Sequence, residues 1–504
     1  MSMPRVHFVT LLLALSLGCA TAIADLTLAP LFQDHAVLQR NQPVPVWGRA
    51  EPGEKITVSF RNQIVRTTAE MDGRWIVYLA PMSATIEPAE LTVTGKNTVV
   101  VRDVLIGEVW LAAGQSNMNR PLSSVPDGAK IIAGINNPFV RFNTVALTAA
   151  SSPAERVETS GWLPVTPETA GTASAVAWYF AAELQRKLGV PVGIIHSSWG
   201  GSKIEAWIDD RTLRGTKAWP AIDERWQYMI ANYPRIEAEF SAWEIQMKEL
   251  LAKNLPPPAT MPLLPRGPGS QHALGELFNG MIAPLQPYAL RGAIWYQGES
   301  NWEYPAEYAE LFPAMIKAWR AQWGGGDFPF YFVQLPNFGQ SYDPTHRSWA
   351  WLREAQTAAL KLPNTGMAVS IDCGDPLDIH PQNKPTVGRR LAALALAQTY
   401  RVPCDWTGPR FAGATREGSA MRVRFTHVDT GLIAERQPPS AFELAGADRK
   451  FYPATATLDG ETVIVKSPDV PEPVAVRYAW SNVPVANLFN GAGLPAAPFR
   501  SDDW

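Results

Sequence analysis

The chain has 504 residues, more than one hydrophobic core usually supports, so we expect two or three domains. Its 44 basic and 47 acidic residues give a formal net charge of -3, which offers no electrostatic surface for nucleic acid and favours a neutral small molecule or a sugar as partner. Three cysteines and the absence of a His-Glu-x-x-His motif leave no zinc-site pattern, so no metal is predicted.

Residues 1–24 have the pattern of a secretory signal peptide. Arg5 precedes an apolar run from Phe8 to Leu17, and small residues follow up to Ala24, after which cleavage is expected. We therefore predict an exported protein, periplasmic or extracellular. No later apolar run reaches the roughly 18 residues needed to span a bilayer, so no membrane span is expected.

Residues 25–103 consist of short strand-like runs separated by turn residues. This spacing predicts an N-terminal β-sandwich-like domain. The runs are Val44 to Trp47, Lys55 to Phe60, Trp75 to Leu79 and Leu91 to Thr94.

From residue 104 to residue 401, strand-like and helix-like segments alternate. The clearest helix runs from Ala173 to Leu188 and is followed by Gly189, a residue typical of helix C-termini. The alternation predicts an α/β domain with a mostly parallel sheet, in which ligands bind at the carboxyl ends of the strands. The strand-like runs after residue 190 are Val192 to Ile195, Gly292 to Tyr296, Phe330 to Val333 and Met367 to Ile371.

Two further segments complete the predicted organisation. An insertion at about residues 211–275 contains charged helices and then a proline-rich loop, and we expect it near the active face. Residues 402–504 contain strand-like runs and predict a C-terminal β-module. Cys373 and Cys404 remain after signal cleavage, and the sequence leaves open whether they form a disulfide.

Ser116 is the best candidate for a catalytic nucleophile. The apolar run from Val101 to Ala113 predicts a buried strand, and Gly114 interrupts it where the chain must bend. A serine on such a turn exposes its hydroxyl at the sheet edge and turns its backbone N–H toward the same space. One loop therefore supplies a nucleophile and half of an oxyanion hole.

His380 is the best candidate for the base. It lies two residues after Asp378, in a loop that follows the predicted strand Met367 to Ile371. Such a loop at the carboxyl end of a strand can present both side chains toward Ser116, as acyl transfer by serine requires.

Two more loops follow strands of the same sheet. One contains Gly200 and Gly201, whose N–H groups can approach a ligand closely. The other offers the amide side chain of Gln297 at the corresponding place. Either loop alone is equally compatible with a tight turn, but their arrival at one sheet face together with Ser116 and His380 favours a catalytic site.

Several segments of the chain match the sequence blocks of one known family. They are the turn Gly114 to Met118, the segments Ser198 to Trp207, Trp295 to Asn301 and Asp378 to Pro381, and the stretches Leu31 to Arg40, Leu277 to Pro284 and Pro498 to Trp504. On these residues the chain resembles the sialate O-acetylesterase family of the SGNH-hydrolase superfamily, and the resemblance covers nearly the whole mature chain.

The resemblance implies a flavodoxin-like SGNH-hydrolase core flanked by β-modules, which hydrolyses acetyl esters on sugars without a cofactor. By motif, Ser116 is then the nucleophile, His380 the general base and Asp378 the orienting acid, with Asp375 and Glu299 as alternative acids. The implied oxyanion donors are the N–H of Ser116, an N–H of Gly200 or Gly201, and the Gln297 side chain, where the superfamily usually has asparagine. Substrate contacts are expected at Asn117, Trp199 and Arg353.

The expected partner is an acetylated sugar or oligosaccharide. A sialate carries a carboxylate, so an arginine facing Ser116 would favour it; the candidates are Arg120, Arg141 and Arg353. Alternatives are an esterase acting on acetylated xylan or xyloglucan and a carbohydrate-binding protein that has lost catalysis. A Gly-x-Ser-x-Gly elbow is absent, which disfavours a lipase or serine peptidase. The natural substrate, the acetylated hydroxyl and the oligomeric state are left open.

Overall fold

The computed structural model describes residues 25–256, 260–339, 343–435 and 438–504. The predicted signal peptide lies outside the described residues. Among the described helices, none combines the length and the apolar composition that crossing a membrane requires.

The N-terminal part of the chain forms two layers of strands. In one layer β1, β3 and β6 pair antiparallel, and in the other β5, β4, β7 and β8 are neighbours, with β2 parallel to β8. The strands are β1 (Thr27–Leu28), β2 (Val37–Gln39), β3 (Val44–Arg49), β4 (Lys55–Phe60), β5 (Gln63–Thr68), β6 (Arg74–Leu79), β7 (Thr85–Thr94) and β8 (Thr98–Gly114).

The strand β8 belongs to both the N-terminal layers and the central sheet. Its first half pairs with β7, and its second half is buried between β11 and β12 of the central sheet. The predicted domain boundary between residues 103 and 104 therefore falls inside one continuous strand of 17 residues.

Helices and strands alternate in the middle of the chain, confirming the mixed α/β class. They are α1 (Ser116–Asn119), α2 (Gly128–Ala133), β9 (Asn137–Val145), β10 (Thr159–Val165), α3 (Ala175–Leu188), β11 (Val192–Ser198), α4 (Asp210–Arg214), α5 (Trp219–Ala252), β12 (Gly292–Tyr296), α6 (Pro305–Trp323), β13 (Phe330–Val333), α7 (Ser348–Thr357), β14 (Thr365–Ala368) and α8 (Lys384–Leu394).

The central sheet is parallel from β9 to β14 in the order β9-β11-β8-β12-β13-β14, and β10 adds an antiparallel edge. Without the outer strand β9, the order of the five remaining strands by their place in the chain is 2-1-3-4-5, as in flavodoxin-like sheets. In such sheets the crevice for ligands lies at the carboxyl ends of the strands, beside the first strand, which here is β8.

The clearest predicted helix, α3, begins and ends close to its expected bounds. Ser174 caps it by accepting the N–H of Ala177, and Gly189 follows it in the left-handed conformation at φ 66°. Its inner face is buried in a hydrophobic core that is continuous from the N-terminal layers through the central sheet.

The C-terminal β-module has its own hydrophobic core. Seven antiparallel strands form its main sheet, and a two-stranded pair, β17 and β22, lies beside it. The strands are β15 (Arg410–Glu417), β16 (Ala420–Thr426), β17 (Leu432–Ala434), β18 (Phe442–Ala445), β19 (Phe451–Asp459), β20 (Thr462–Lys466), β21 (Ala475–Tyr478), β22 (Leu488–Asn490) and β23 (Phe499–Arg500).

Candidate active site

Ser116 begins α1 directly after the bend that ends β8. Gly114 has φ 138°, and a Cβ atom on it would lie 2.2 Å from the carbonyl oxygen of Tyr296 in the neighbouring strand β12. No side chain fits there, so the bend requires glycine. The Gln115 N–H donates to the same Tyr296 carbonyl at 3.0 Å, which fixes the position of the next residue, Ser116.

The loop after β11 lies against Ser116. A Cβ atom built on Gly200 would be 3.4 Å from the Cβ atom of Ser116, so the glycine backbone lines the space beside the hydroxyl. Among the described residues, no acceptor takes the N–H of Ser116, Gly200 or Gly201. N–H groups without an acceptor beside a hydroxyl are what an oxyanion hole requires.

His380 reaches Ser116 from the loop that follows β14. Its Nε2 atom is 2.9 Å from the Oγ atom of Ser116, within hydrogen-bond reach for proton transfer. The Asp378 carboxylate accepts the backbone N–H of His380 at 2.8 Å, while its distance to Nδ1 is 3.8 Å. Asp378 therefore fixes the backbone of the histidine and lies near its ring, at more than hydrogen-bond length.

The charges around His380 act on its protonation. Partial burial and the positive charges of Arg120 and Lys384 lower the pKa of His380 below its usual 6.5, and the charge of Asp378 opposes them. Only a neutral imidazole can accept a proton from a serine hydroxyl. By lowering the pKa of His380, these cations keep its ring neutral down to a lower pH.

Asn117 connects the three loops of the site. Its amide nitrogen donates to Glu299 at 2.5 Å and to the carbonyl oxygen of Ile379, next to His380, at 3.0 Å. Its amide oxygen accepts from the ammonium group of Lys384. Asn117 is 1 % exposed and its amide is used within the protein, so the geometry gives its expected substrate contact no support, and its hydrogen bonds hold the loops together.

Lys384 and Glu299 form a buried pair of charged groups on opposite sides of Asn117. Burial lowers the pKa of Lys384 to about 7, and the charge of Glu299 opposes that shift. Burial raises the pKa of Glu299, opposed by the hydrogen bond from Asn117 and by the charge of Lys384. Glu299 contacts Asn117 and has no hydrogen bond to His380, so the geometry does not favour it as the alternative acid.

The sequence motifs do not single out Lys384, although its place at the start of a helix is unusual for a lysine. It is the first residue of α8, where the positive end of the helix dipole disfavours a cation. A buried lysine at that position needs a nearby acceptor or anion, which Asn117 and Glu299 supply.

The expected oxyanion role of Gln297 is not supported by the geometry. The side chain is fully buried, and its amide nitrogen donates to the Ser202 carbonyl at 3.1 Å and to the Asn301 side chain at 2.8 Å. Both amide hydrogens are thus used within the protein. The sequence predicts which loop carries this residue, but the direction of its amide depends on packing that the motif does not encode.

The geometry gives the expected substrate contact of Arg353 no support. Arg353 is fully buried, and its guanidinium donates to the carbonyl oxygens of Leu335, Pro336, Ser481 and Asn482. It therefore connects the central sheet to the C-terminal module.

The other sequence candidates lie at varying distances from the nucleophile. The Asp375 carboxylate accepts the backbone N–H of Leu377 at 2.8 Å and, in the described part of the chain, has no hydrogen bond to His380, so the geometry does not favour it as the alternative acid. Trp199 is partly buried against the core, next to Gly200. Arg141 is paired with Asp103 at 2.9 Å, away from the site. Cys373 is buried, Cys404 is exposed, and the two are not paired.

Comparison with known proteins identifies the family. A family model described as "Carbohydrate esterase, sialic acid-specific acetylesterase" matches residues 269–397. A sialate O-acetylesterase from Mus musculus is 31 % identical over 94 % of this chain and 93 % of its own length, and one from Rattus norvegicus is 30 % identical over 99 % and 98 %. This chain belongs to the sialate O-acetylesterase family.

A solved structure of a carbohydrate acetylesterase has a similar fold and supports the family assignment. A carbohydrate acetylesterase from Xanthomonas citri is 39 % identical, with a TM-score of 0.82, and the match covers 95 % of this chain and all of the other. The protein is therefore an ester hydrolase, as the sequence predicts.

The pH dependence of the esterase provides a test of the charges around His380. Replacing Arg120 by Gln removes a positive charge that disfavours the imidazolium, so we expect the pKa of His380 to rise and the acid limb of kcat/KM to move to higher pH. Asp378→Asn removes a negative charge and should move the limb to lower pH. The measurement is the pH profile of p-nitrophenyl acetate hydrolysis.

Arg61→Gln is the matched control, because Arg61 is exposed in the N-terminal layers. Its profile should coincide with that of the unmodified esterase. A shift of the same sign in the Arg120 and Asp378 variants would contradict the electrostatic explanation.

A double-mutant cycle tests the buried pair of Lys384 and Glu299. Lys384→Met leaves the buried Glu299 without its nearby cation, and Glu299→Gln leaves the buried Lys384 without its nearby anion, so each should destabilise the esterase by about 3–5 kcal/mol, the usual cost of breaking a buried pair. The double variant should lose less than the sum, because neither charge remains buried alone. Thermal unfolding at pH 6, below the pKa of Lys384, measures this coupling.

Asp210→Ala is the surface control for that cycle. Asp210 is exposed and pairs with Arg214 at 2.7 Å within α4, so its removal should cost at most about 0.5 kcal/mol. Strictly additive effects of the Lys384 and Glu299 substitutions would show that the two groups do not interact.

Proposed function

We propose that this chain is an exported carbohydrate O-acetylesterase with an SGNH-hydrolase core, which removes acetyl groups from sialic acid by a Ser–His–Asp mechanism. One observation carries the catalytic part of the proposal: Nε2 of His380 is 2.9 Å from Oγ of Ser116, beside the free N–H groups of Ser116 and Gly200. The sialate part rests on the relatives, which are sialate O-acetylesterases.

The first half of the reaction transfers the acetyl group to Ser116. His380 takes the hydroxyl proton on Nε2 as Oγ forms a bond to the acetyl carbonyl carbon, and the carbonyl oxygen becomes an oxyanion held by the N–H groups of Ser116 and Gly200. The intermediate then breaks its bond to the sugar oxygen, which receives the proton from Nε2. The sugar alcohol leaves, and an acetyl-enzyme remains.

The second half repeats these steps with water. His380 takes a proton from water as the water oxygen attacks the acetyl carbon, and the proton passes to Oγ of Ser116 as acetate leaves. The role of Asp378 is to stabilise the imidazolium that forms in both halves. Because Asp378 is 3.8 Å from Nδ1, its hydrogen bond to the ring requires a small approach of the two groups when substrate binds.

Substitution of the two reacting residues tests the mechanism. Ser116→Ala and His380→Gln should each lower kcat by a factor on the order of 10⁴ or more, with Asp378→Asn losing less. Acetate release is measured from p-nitrophenyl acetate, from 9-O-acetyl sialic acid and from acetylated xylan. Ser419→Ala, in an exposed turn of the C-terminal module, is the control and should keep full activity.

Each substrate result has a distinct meaning. Faster release from the sialate than from xylan supports the proposal, whereas the reverse would assign the esterase to acetylated plant polysaccharide. Hydrolysis that survives Ser116→Ala would contradict the serine mechanism, and an absence of hydrolysis on all three substrates would favour a carbohydrate-binding protein.

Export is supported by the signal-peptide pattern of residues 1–24. The mature protein should begin at Asp25 and be recovered outside the cytoplasm. N-terminal sequencing of the protein from fractionated cells measures this, with a chain lacking residues 2–24 as the control that stays inside. An uncleaved full-length chain in the cytoplasm would refute export.

A further inference from the structure

A cavity of about 470 Å³ lies between α5, the segment of residues 263–274 and the loops that follow β11 and β12. We name it the α5 cavity; its volume is in the range of small-molecule binding sites. Both loops follow strands that pair with β8, the strand that ends just before Ser116. Gly200 lies against Ser116, and the hydroxyl of Ser300 donates to the carbonyl of Gly201 at 2.9 Å, which joins the two loops.

Lys203 presents an unpaired ammonium group to the α5 cavity. Its Nζ atom is 4.9 Å from the ring centroid of Tyr304, and among the described residues it makes no hydrogen bond or ion pair. Burial lowers the pKa of Lys203, and the charges of Glu205 and Glu303 oppose that shift. Arg225 also lies over the Tyr304 ring, at 3.9 Å, and is bound to Glu307 at 2.9 and 2.5 Å. Arg225 is therefore occupied, whereas the three donors of Lys203 are available.

Arg266 and His272 face the same cavity. In the described part of the chain, Arg266 makes no hydrogen bond or ion pair. Burial and the positive charges of Arg266 and Lys203 lower the pKa of His272 to about 3, so its ring is neutral at physiological pH. Its buried Nδ1 atom has no hydrogen-bond partner among the described residues.

The acidic residues of the wall do not neutralise these cations through contact. Glu205 is buried and accepts from the Asn301 amide at 2.8 Å, so it is held within the protein. Glu224 and Glu303 are exposed to solvent. A cavity with two unpaired cations and an unpartnered imidazole nitrogen suits an anion whose oxygens accept several hydrogen bonds.

We propose that the α5 cavity binds the carboxylate of an acidic acetylated sugar, with Lys203 and Arg266 as its ligands. The inference rests on the proposed function, because it assigns the cavity to the sugar whose acetyl group reaches Ser116. A carboxylated sugar of this kind is a sialic acid or a uronic acid. Lys203 and Arg225 lie over the Tyr304 ring, so that face of the ring is not open for stacking of a sugar.

The experiment compares an acid with its neutral ester in each variant. Acetate release is measured from 9-O-acetyl sialic acid and from its carboxyl methyl ester, and the ratio of the two kcat/KM values is reported. The ratio is internal to each protein sample, so a loss of folded protein affects both values equally. The unmodified protein should prefer the free acid by about tenfold or more, as expected for charge-assisted contacts.

Lys203→Met and Arg266→Gln should each move that ratio toward one. Lys248→Met is the matched control, because Lys248 is an exposed lysine of α5 outside the cavity, and it should keep the ratio of the unmodified protein. A ratio near one in the unmodified protein, or an unchanged ratio in both cavity variants, would overturn the inference. A ratio that changes only in Arg120→Gln would also overturn it, since the carboxylate would then lie near Arg120 and not in the α5 cavity.

A second measurement separates this inference from the sialate assignment. Free sialic acid and free glucuronate are tested as inhibitors of p-nitrophenyl acetate hydrolysis by the unmodified protein and the two cavity variants. Inhibition by glucuronate alone, weakened in both variants, supports the cavity and refutes the sialate substrate. Inhibition that is equal in all three proteins, or an absence of inhibition by both acids, overturns the cavity assignment while the serine mechanism stands.

Discussion

The position of the candidate active site depends on the register of the parallel sheet. Ser198 of β11 pairs with Gly114 of β8, and Gly114 pairs with Tyr296 of β12, so three strands end at one level. The tight approach of the Gly114 backbone to the Tyr296 carbonyl then forces the chain to turn at that level. A shift of one residue in either pairing would move Ser116 away from the glycine loop and from His380.

The electrostatic arrangement of the site follows from what is buried beneath it. The buried Asn117 is hydrogen-bonded to both Glu299 and Lys384. The positive charges of Arg120 and Lys384 lower the pKa of the His380 imidazole. Acyl transfer by serine needs a neutral base in the resting enzyme and an imidazolium during the reaction. The cations oppose protonation of His380 and the charge of Asp378 favours it, which is the balance that the proposed mechanism requires.

The sequence predicted the fold class, most of the strands and the meeting of Ser116 with His380, because these depend on hydrophobic pattern and on the rule that ligand loops lie at carboxyl ends of strands. Side-chain direction is a different kind of information. Gln297 lies in the expected loop but is directed into the protein, and Arg353 lies on a helix whose buried face a short motif does not reveal.

Because β8 is continuous, the N-terminal region and the α/β domain share one strand. A chain shortened to begin at residue 104 would retain the catalytic loops but would start in the middle of a strand, with the apolar side of the α/β layer uncovered where the N-terminal residues share its core. Exposed strand edges and apolar surface promote aggregation. Solubility thus constrains loss of this region during evolution, although its described residues make no hydrogen bond to Ser116 or His380.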